Sequence, residues 1–444
     1  MPPLLALIIC IAFIVYLLKT DSNHHPQSSI ALWAPLIWML YIGSRPISMW
    51  FDSGATSSIS PGSYLEGSPL DRSLFMVLIV IGLLILFQRK LQWSVFLKSN
   101  KWVFLFFLYS LISTQWSDYP FVSFKRWFKD MGNLVMVLII LSDNDPLEAL
   151  KTIFRRLTYT LIPLSIVFNK YFSEIGRSYS PITGRPFYQG VADGKNGIGI
   201  LCLVCGFYFL WNLYTNFRKS NVTINKHEAF LHVLFLAMIF WVLKMADSAT
   251  PLVCLVLGSL TVLGLGLPII KNNLKNIGAF VFITAFLTII LQWVFNIWQS
   301  LISSLGRDLT LTGRTEIWEA VLKIDINPLL GAGYKGFWSG ERLATLWDTL
   351  GVQLIQAHNG YIETYLNLGL IGLILLAMVI GSGYKNAKRE LTAYNFNYGR
   401  FRMAILVMTL AYNITEATLS GPQVLWFVFL LTVAVEYPCN REIS

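Results

Sequence analysis

Long apolar runs separated by shorter polar segments dominate the sequence. Charged side chains are absent from the runs at 73–88, 198–215, 249–267 and 277–298. A helix that crosses the hydrocarbon core of a membrane needs about 20 mostly apolar residues. The pattern therefore predicts an all-α polytopic membrane protein with about twelve to thirteen transmembrane helices. These spans are placed at 4–18, 30–42, 73–88, 102–112, 131–141, 157–169, 198–215, 229–245, 249–267, 277–298, 363–380, 403–414 and 423–436.

Two longer polar segments that contain glycine and proline interrupt this series. The resulting regions are N-terminal transmembrane helices (1–101), a central transmembrane core (102–298) with a polar loop at 170–197, a long loop (299–362), and C-terminal helices with a tail (363–444). Charged residues make up 13% of the chain, against roughly 25% in soluble domains. The sequence therefore leaves no room for a soluble domain, and the long loop is expected to carry amphipathic helices.

Lysine and arginine are distributed unevenly between the two sets of alternating loops. One set, which includes 88–101 and 384–402, holds 19 of them in about 88 residues, whereas the set with both long polar segments holds 14 in about 153. Because positively charged loops stay cytoplasmic, 170–197 and 299–362 are predicted to lie outside. The net charge of +10 is interpreted as a topology signal rather than a nucleic-acid footprint. The first run, 4–18, lacks a basic n-region and a cleavage site and is interpreted as a retained helix.

Two short motifs match known signatures in the wrong context. Cys202 and Cys205 form C-x-x-C inside an apolar span without polar neighbours, which argues against redox or zinc chemistry. The hexapeptide GAGYKG (331–336) matches G-x-G-x-x-G but follows an amphipathic segment rather than a strand. Its glycines are expected to let the loop turn sharply. Paired carboxylates of the D-x-D type are missing from the outer loops, so we expect no metal and no other cofactor.

Basic residues gather in the segments that are predicted to lie outside. The site candidates among them are Arg126, Arg177, Arg185, Lys195 and Arg314. Ionisable side chains close to membrane depth are costly and usually functional. Their convergence predicts an anionic ligand at the outer surface. Glu416, in a short turn between two late spans, is expected to pair with a basic residue or to take part in catalysis, with a purely stabilising role as the alternative.

One of these cations stands at the start of a predicted amphipathic helix in the long loop. The helix covers 312–328, with Gly313 as its N-cap and Asn327-Pro328 as its end. Its apolar side consists of Ile317, Trp318, Val321 and Leu322. Arg314 lies in the first turn, where the positive end of the helix dipole disfavours a cation unless an anion binds there. The alternative is an exposed surface arginine.

His358 is the strongest candidate for catalysis. It is the only histidine in the segments predicted to lie outside, and an unperturbed imidazole pKa near 6.5 suits a general base at neutral pH. Glu416 is expected to orient it. The next residue, Asn359, is expected either to cap the following helix or to hold a substrate hydroxyl. The alternative is that this polar pair is a hydrogen-bonded feature of the membrane interface.

An ordered set of motifs resembles the O-antigen ligase and polymerase superfamily, and within it the exopolysaccharide-production polymerases. The motifs are TQWSDYPFVSFKRWFKD (114–130), GRSYSPITGRPFYQGVADGKNGIG (176–199), TGRTEIWEAVLKIDINPLLGAGYKGFW (312–338), AHNGYIETYLNLGLIGL (357–373) and NITEATL (413–419). The similarity extends over residues 102–436. It implies a polytopic, metal-independent glycosyltransferase, GT-C-like in architecture, whose active site faces the extracytoplasmic side of the bacterial plasma (inner) membrane.

The resemblance also implies a donor and a reaction. The donor is a sugar chain on undecaprenyl pyrophosphate, and an acceptor hydroxyl attacks its anomeric carbon with inversion while the lipid pyrophosphate leaves. By the same resemblance, His358 matches the base for the acceptor hydroxyl, and Arg314 matches an arginine that contacts the pyrophosphate.

At one position the chain departs from the pattern of the superfamily. Ligases often carry an arginine where this chain has Ala249. A second basic anchor for the pyrophosphate is therefore expected elsewhere, with Arg126, Lys195 and Lys244 as candidates in that order. The candidates for binding the acceptor or its sugars are Asn359, Arg177 and Arg185.

The sequence thus predicts a polysaccharide polymerase that joins lipid-linked repeats. The nearest alternative is a ligase that moves the glycan to a lipid or protein acceptor, because the donor and the chemistry are shared. A flippase or transporter is less favoured, since it would place polar residues near the bilayer midplane in repeated halves, and no internal repeat occurs. The expected partners are the lipid-linked oligosaccharide, an acceptor glycan, and a chain-length regulator and a flippase of the same pathway, without nucleic acid.

Overall fold

Helices make up almost all of the regular structure. The structure is a computed structural model that describes residues 1–25, 28–51, 68–89, 91–179, 184, 186–217, 226–276, 278 and 314–435. Its helices are α1 Pro3–His24, α2 Trp33–Ile42, α3 Ile47–Phe51, α4 Pro69–Gln88, α5 Trp93–Ser99, α6 Lys101–Ser113, α7 Pro120–Leu141, α8 Pro146–Tyr171, α9 Ser173–Gly176, α10 Lys195–Phe217, α11 Lys226–Ala246, α12 Ala249–Leu265, α13 Pro268–Lys271, α14 Arg314–Leu322, α15 Gly340–Leu350, α16 Gly360–Ala393, α17 Phe396–Tyr412 and α18 Val424–Val433. Short 3-10 helices lie at Ile30–Leu32, Thr114–Trp116 and Leu274–Asn276.

One small antiparallel ribbon departs from the all-α prediction. Strand β1, Arg177–Tyr179, pairs with β2, Pro186–Tyr188, in a register that places Arg177 opposite Tyr188. The ribbon lies in the polar loop 170–197. The remainder of the described secondary structure is helical, as predicted.

The predicted spans coincide with helices wherever the structure describes them. Twelve of the thirteen segments overlap helices, and the other, 277–298, lies outside the described residues except for position 278. In the described chain, five helices are long and apolar enough to cross a membrane, and α5 with α6, bent by 90° at their junction, makes a possible sixth span. The protein is therefore a multi-pass membrane protein, and the total of about twelve to thirteen spans stays a prediction.

Helix α18 lies at the centre of the helix bundle. All of its residues, Val424–Val433, are buried, and it packs against α7, α10, α16 and α17. A helix that is apolar on all sides is buried in a core rather than half exposed. Because α18 follows the turn 415–422 directly, that turn and Glu416 are held at the edge of the packed core.

Helix α16 is interrupted at a point where a loop packs against it. Gly369 has φ 63° and ψ −164° inside the helix, so the N–H groups of Leu370 and Ile371 lose their helical acceptors. They donate instead to the carbonyl oxygens of Pro328 and Leu329, at 2.9 and 3.2 Å. An unpaired backbone group in an apolar membrane environment costs several kcal/mol. The loop between α14 and α15 therefore compensates for the break in α16.

The amphipathic helix predicted over 312–328 is shorter in the structure. Helix α14 ends at Leu322, and the predicted N-cap, Gly313, lies outside the described residues. Leu322 is 53% exposed rather than part of the apolar side, whereas Val321 is fully buried. The prediction was wrong because the chain leaves the helix after Leu322, where the N–H of Ile324 donates to the Val321 carbonyl oxygen at 3.4 Å. Ile324 and Ile326 then pack against the apolar cluster that contains Val321.

The hexapeptide 331–336 turns sharply, as predicted. Gly331 and Gly333 have φ values of 69° and 84°, in the left-handed region that favours glycine. At Gly331 the chain also passes so close to α16 that a Cβ atom would lie 2.6 Å from backbone atoms of residues 367–369. Glycine is therefore required at 331 for two reasons, its backbone conformation and its packing.

Gly331→Ala is expected to destabilise the protein far more than Gly351→Ala. Both positions have a positive φ, 69° and 65°, so both substitutions carry a backbone strain of about 1–2 kcal/mol. Only the new Cβ at 331 collides with backbone, because nothing in the described chain lies within 4 Å of one at 351. Thermal unfolding of the detergent-purified variants measures the difference. Equal Tm values would contradict the packing of this loop against α16.

Candidate active site

A cavity of about 420 Å³ opens where three helices begin. Asn196 in the first turn of α10, Glu363 in the first turn of α16 and Val424 at the start of α18 all line it. The turn 415–422 supplies a further wall, which includes Glu416. Helix N-termini carry partial positive charge. The cavity therefore combines this positive potential with the carboxylates of Asp193, Glu363 and Glu416 and the ammonium group of Lys335.

The Glu416 carboxylate joins separate parts of the chain at this cavity. Its Oε1 accepts a hydrogen bond from Arg314 Nη2 at 2.5 Å, and its Oε2 accepts one from Asn196 Nδ2 at 3.0 Å. His358 Nδ1 lies 3.0 Å from the same Oε2. Glu416 is only 4% exposed, so an unpaired charge there would be costly. Glu416 therefore both pairs with a predicted site cation and orients His358.

His358 is held in an unusual backbone conformation. Its φ is 48°, in a region that residues other than glycine rarely adopt. The preceding residue, Ala357, is fixed at both ends: its N–H donates to Glu363 Oε2 at 3.0 Å, and its carbonyl accepts from Trp318 Nε1 at 2.9 Å. Backbone strain of this kind persists where the surrounding contacts over-determine it, and it clusters at functional sites.

Asn359 caps helix α16. Its Oδ1 accepts from the N–H groups two and three residues later, both at 3.0 Å, and its Nδ2 donates to Ile414 O at 3.0 Å. The N–H of Gly360 donates to Asn413 O at 2.8 Å. Both ends of the Asn359 amide are engaged, so the geometry favours the capping alternative over a contact with the acceptor. These bonds also tie the start of α16 to the turn that carries Glu416.

Helix α14 brings two side chains to the site together. Arg314, at its start, contacts Glu416, and Trp318, four residues later, holds the carbonyl group of Ala357. The Arg314 side chain is 17% exposed, and within the described ranges its remaining donors have no hydrogen-bond partner. The Arg314 guanidinium group is therefore held by its bond to Glu416 and keeps other N–H donors for a ligand.

Arg126 binds the backbone of the hexapeptide 331–336. Its Nη1 donates to Lys335 O at 2.6 Å and to Ser339 Oγ at 3.3 Å. Lys335 itself lines the cavity. Of these two cations, only Arg126 was among the candidates from the sequence, and it reaches the cavity through Lys335.

The structure describes two of the other three predicted site residues, Lys195 and Arg177. Lys195 is exposed at the start of α10, and the next residue, Asn196, is the one that reaches the carboxylate. Arg177 lies on the ribbon, with its guanidinium 5.2 Å from the centre of the Tyr188 ring. Arg185 lies outside the described residues.

Three cavity residues were missed from the sequence: Asn196, Lys335 and Glu363. A signal for Asn196 and Glu363 does exist, because each is a polar side chain in the first turn of an apolar span, where burial is costly. The sequence gives no signal for Lys335, because the glycines around it are sufficient to interpret the motif as a turn and the lysine needs no role in that interpretation.

In the part of the chain that the structure describes, the cysteines and the other metal-ligating side chains form no second centre. Among the described residues, no group of three or more His, Cys, Asp and Glu side chains could hold a metal ion. Cys202 and Cys205 are free thiols, fully buried in α10. The C-x-x-C motif is thus part of the packed core.

Comparisons with known proteins cover much of this site. Residues 232–377, which include Arg314, Lys335 and His358, match the O-antigen ligase family. The chain is also similar to the exopolysaccharide production protein ExoQ of Rhizobium meliloti (strain 1021), with 26% identity over 302 residues. This similarity covers 64% of the chain and 65% of ExoQ. These matches confirm the resemblance to the O-antigen ligase and polymerase superfamily that the ordered motifs predict.

Proposed function

We propose that the protein is a glycosyltransferase that polymerises a polysaccharide. It transfers an undecaprenyl-pyrophosphate-linked glycan onto the hydroxyl of an acceptor repeat at the outer face of the bacterial plasma membrane. The observation that carries the proposal is the contact of the buried Glu416 carboxylate with both Arg314 and His358 at the wall of a cavity. The family match and the exopolysaccharide role in the name of ExoQ support the same class of reaction.

His358 acts as the base for the acceptor hydroxyl in this proposal. A carboxylate only accepts hydrogen bonds, so the imidazole proton lies on Nδ1, which faces Glu416. Nε2 then presents its lone pair, and no described residue forms a hydrogen bond with it. As the acceptor oxygen bonds to the anomeric carbon, the hydroxyl proton moves to Nε2. Glu416 stabilises the resulting imidazolium ion.

The leaving group is stabilised by cations and helix dipoles. The bond between the anomeric carbon and the pyrophosphate oxygen breaks with its electron pair on the oxygen, and attack from the opposite face inverts the stereochemistry. Fixed donors aimed at developing charge are usually the largest contribution to catalysis. Arg314, which donates to Glu416 in the cavity wall, supplies such donors, and α10, α16 and α18 begin at the cavity.

The name of the matching family favours a second candidate, an O-antigen-type ligase. Such a ligase uses the same donor and the same chemistry, but its acceptor is a lipid or a protein. Reconstitution in proteoliposomes with lipid-linked repeats alone separates the two. A ladder of longer products supports the polymerase, whereas transfer that requires an added acceptor supports the ligase. If neither condition gives a product, the proposed function is wrong.

His358→Ala is expected to lower transfer by about a hundredfold or more, the low end for the loss of a general base. Donor binding should remain, because the imidazole faces the acceptor hydroxyl rather than the pyrophosphate. Initial rates of transfer in proteoliposomes and binding of the lipid-linked donor measure the two effects separately. A variant that keeps more than about a tenth of wild-type activity would assign the base to another residue, with Glu416 first.

Glu416→Gln tests whether the charge of this carboxylate is needed. Glutamine keeps the size of the side chain but cannot neutralise Arg314 or stabilise protonated His358, so transfer should fall by about tenfold or more, the value of one hydrogen bond to a charged group. Glu319→Gln, at an exposed position of α14, is the matched control. Expression level and transfer rate are measured for both variants. Loss of expression in Glu416→Gln alone would indicate a structural pairing instead.

Arg314→Ala is expected to weaken donor binding and turnover together, because the guanidinium charge is present in the ground and transition states alike. Arg314→Lys should restore only part of the activity, since the bidentate fork is lost. Arg389→Ala, at an exposed position near the end of α16, is the control. Donor binding and polymer yield are measured side by side. Normal yield from a stably expressed Arg314→Ala protein would contradict this role.

A further inference from the structure

The Lys335 side chain lies in the cavity wall, and its ammonium group has no hydrogen-bond or salt-bridge partner among the described residues. Its side chain lines the cavity together with those of Glu363 and Glu416. Among the residues that the structure describes, none forms a hydrogen bond or a salt bridge with its ammonium group. An unpaired charge that is partly removed from water is unfavourable. An anion that enters the cavity would supply the missing partner.

The backbone on both sides of Lys335 is fixed. Its own φ is 50°, a conformation that residues other than glycine rarely adopt. On one side, the Tyr334 hydroxyl donates to Asp130, and the Tyr334 N–H donates to Ser113 Oγ at 3.1 Å. On the other side, Arg126 donates to the Lys335 carbonyl at 2.6 Å. These bonds keep a strained lysine in the cavity wall, as is typical of functional positions.

The carboxylates near Lys335 are already occupied by neutral donors. The donors to Asp130 are Asn133, Tyr334 and Trp426, and those to Glu363 are Trp338, Ala357 and Asn367. Both carboxylates raise the pKa of the Lys335 ammonium group and so favour its charged form, but neither forms a salt bridge with it. The charge of Lys335 is therefore left available to a ligand.

We propose that Lys335 is a second cation that contacts the donor pyrophosphate, beside Arg314. The inference rests on the proposed function and assigns one more residue to it. Lys335 fills the role for which the chain lacks an arginine at Ala249, and Gly421 leaves it room, because a Cβ at 421 would collide with Lys335 Nζ. Arg126 is then a positioning residue that acts through the Lys335 backbone.

The charge of Lys335 depends on pH in a way that an arginine charge does not. Burial lowers the pKa of the Lys335 ammonium group below its usual value, and Arg126 lowers it further, while Asp130 and Glu363 oppose this shift. The other charged groups that line the cavity are Asp193 and Glu416, and Lys129 of α7, outside this lining, repels the Lys335 ammonium group. Because its pKa is lowered, Lys335 loses its proton at a lower pH than an exposed lysine does. As the pH is raised, the affinity for pyrophosphate should therefore be lost at a lower pH than it would be with an arginine at position 335.

The test uses Lys335→Gln and Lys335→Arg, with Lys323→Gln, an exposed lysine just after α14, as the control. Inorganic pyrophosphate is titrated into the detergent-purified full chain by calorimetry, and transfer is measured in proteoliposomes. Lys335→Gln should bind pyrophosphate about tenfold or more weakly, which corresponds to one lost charge-assisted hydrogen bond. Lys335→Arg should keep its affinity at neutral pH and also at an alkaline pH at which the wild type loses it.

The outcomes separate this inference from the proposed function. If the wild type transfers glycan and Lys335→Gln binds pyrophosphate and transfers as the wild type does, the role of Lys335 is overturned and the proposed function stands. If the wild type transfers no glycan, the proposed function fails. If Lys335→Gln does not fold, the pH profile of Lys335→Arg decides, because a profile identical to that of the wild type overturns the inference.

Discussion

The Glu416 carboxylate is the group on which the candidate site depends. It is buried, and an isolated charge in such a place is unstable, so it must be surrounded by donors. His358, Arg314 and Asn196 supply these donors from positions 58, 102 and 220 residues away in the chain. One carboxylate therefore determines where the His358 imidazole lies, which of its nitrogen atoms faces the carboxylate, and which atom of the Arg314 guanidinium group is held.

A second constraint comes from backbone polarity inside an apolar bundle. The break at Gly369 leaves N–H groups that the carbonyl groups of Pro328 and Leu329 satisfy. Because this loop must reach α16, the hexapeptide that follows it arrives at the cavity and brings Lys335 with it. The same segment of chain thus accepts the hydrogen bonds that the break in α16 leaves open and contributes a side chain to the site.

The carboxylates and the cations in and next to the cavity differ in how many of their hydrogen-bonding atoms the described residues occupy. The carboxylates of Asp130, Glu363 and Glu416 are engaged by several donors each, and they position the chain. The cations Arg314 and Lys335 keep donors that the described residues do not use. In the proposed function, these cations bind the anionic donor. Arg177, which packs over the ring of Tyr188, stabilises the ribbon instead.

Local composition was sufficient to predict the helices and the multi-pass class, because insertion into lipid depends on the apolar content of each segment alone. The ordered motifs likewise pointed to the superfamily and to Arg314 and His358, whereas Glu416 was predicted from its place in a short turn between two late spans. The end of α14 at Leu322 could not be predicted, because it depends on how Ile324 and Ile326 pack against the apolar cluster that contains Val321. Nor could the sequence show that Asn196, Lys335 and Glu363 share a cavity with Glu416. Packing between distant segments decides which polar side chains meet, and hydrogen bonds across such separations leave no periodic pattern along the chain.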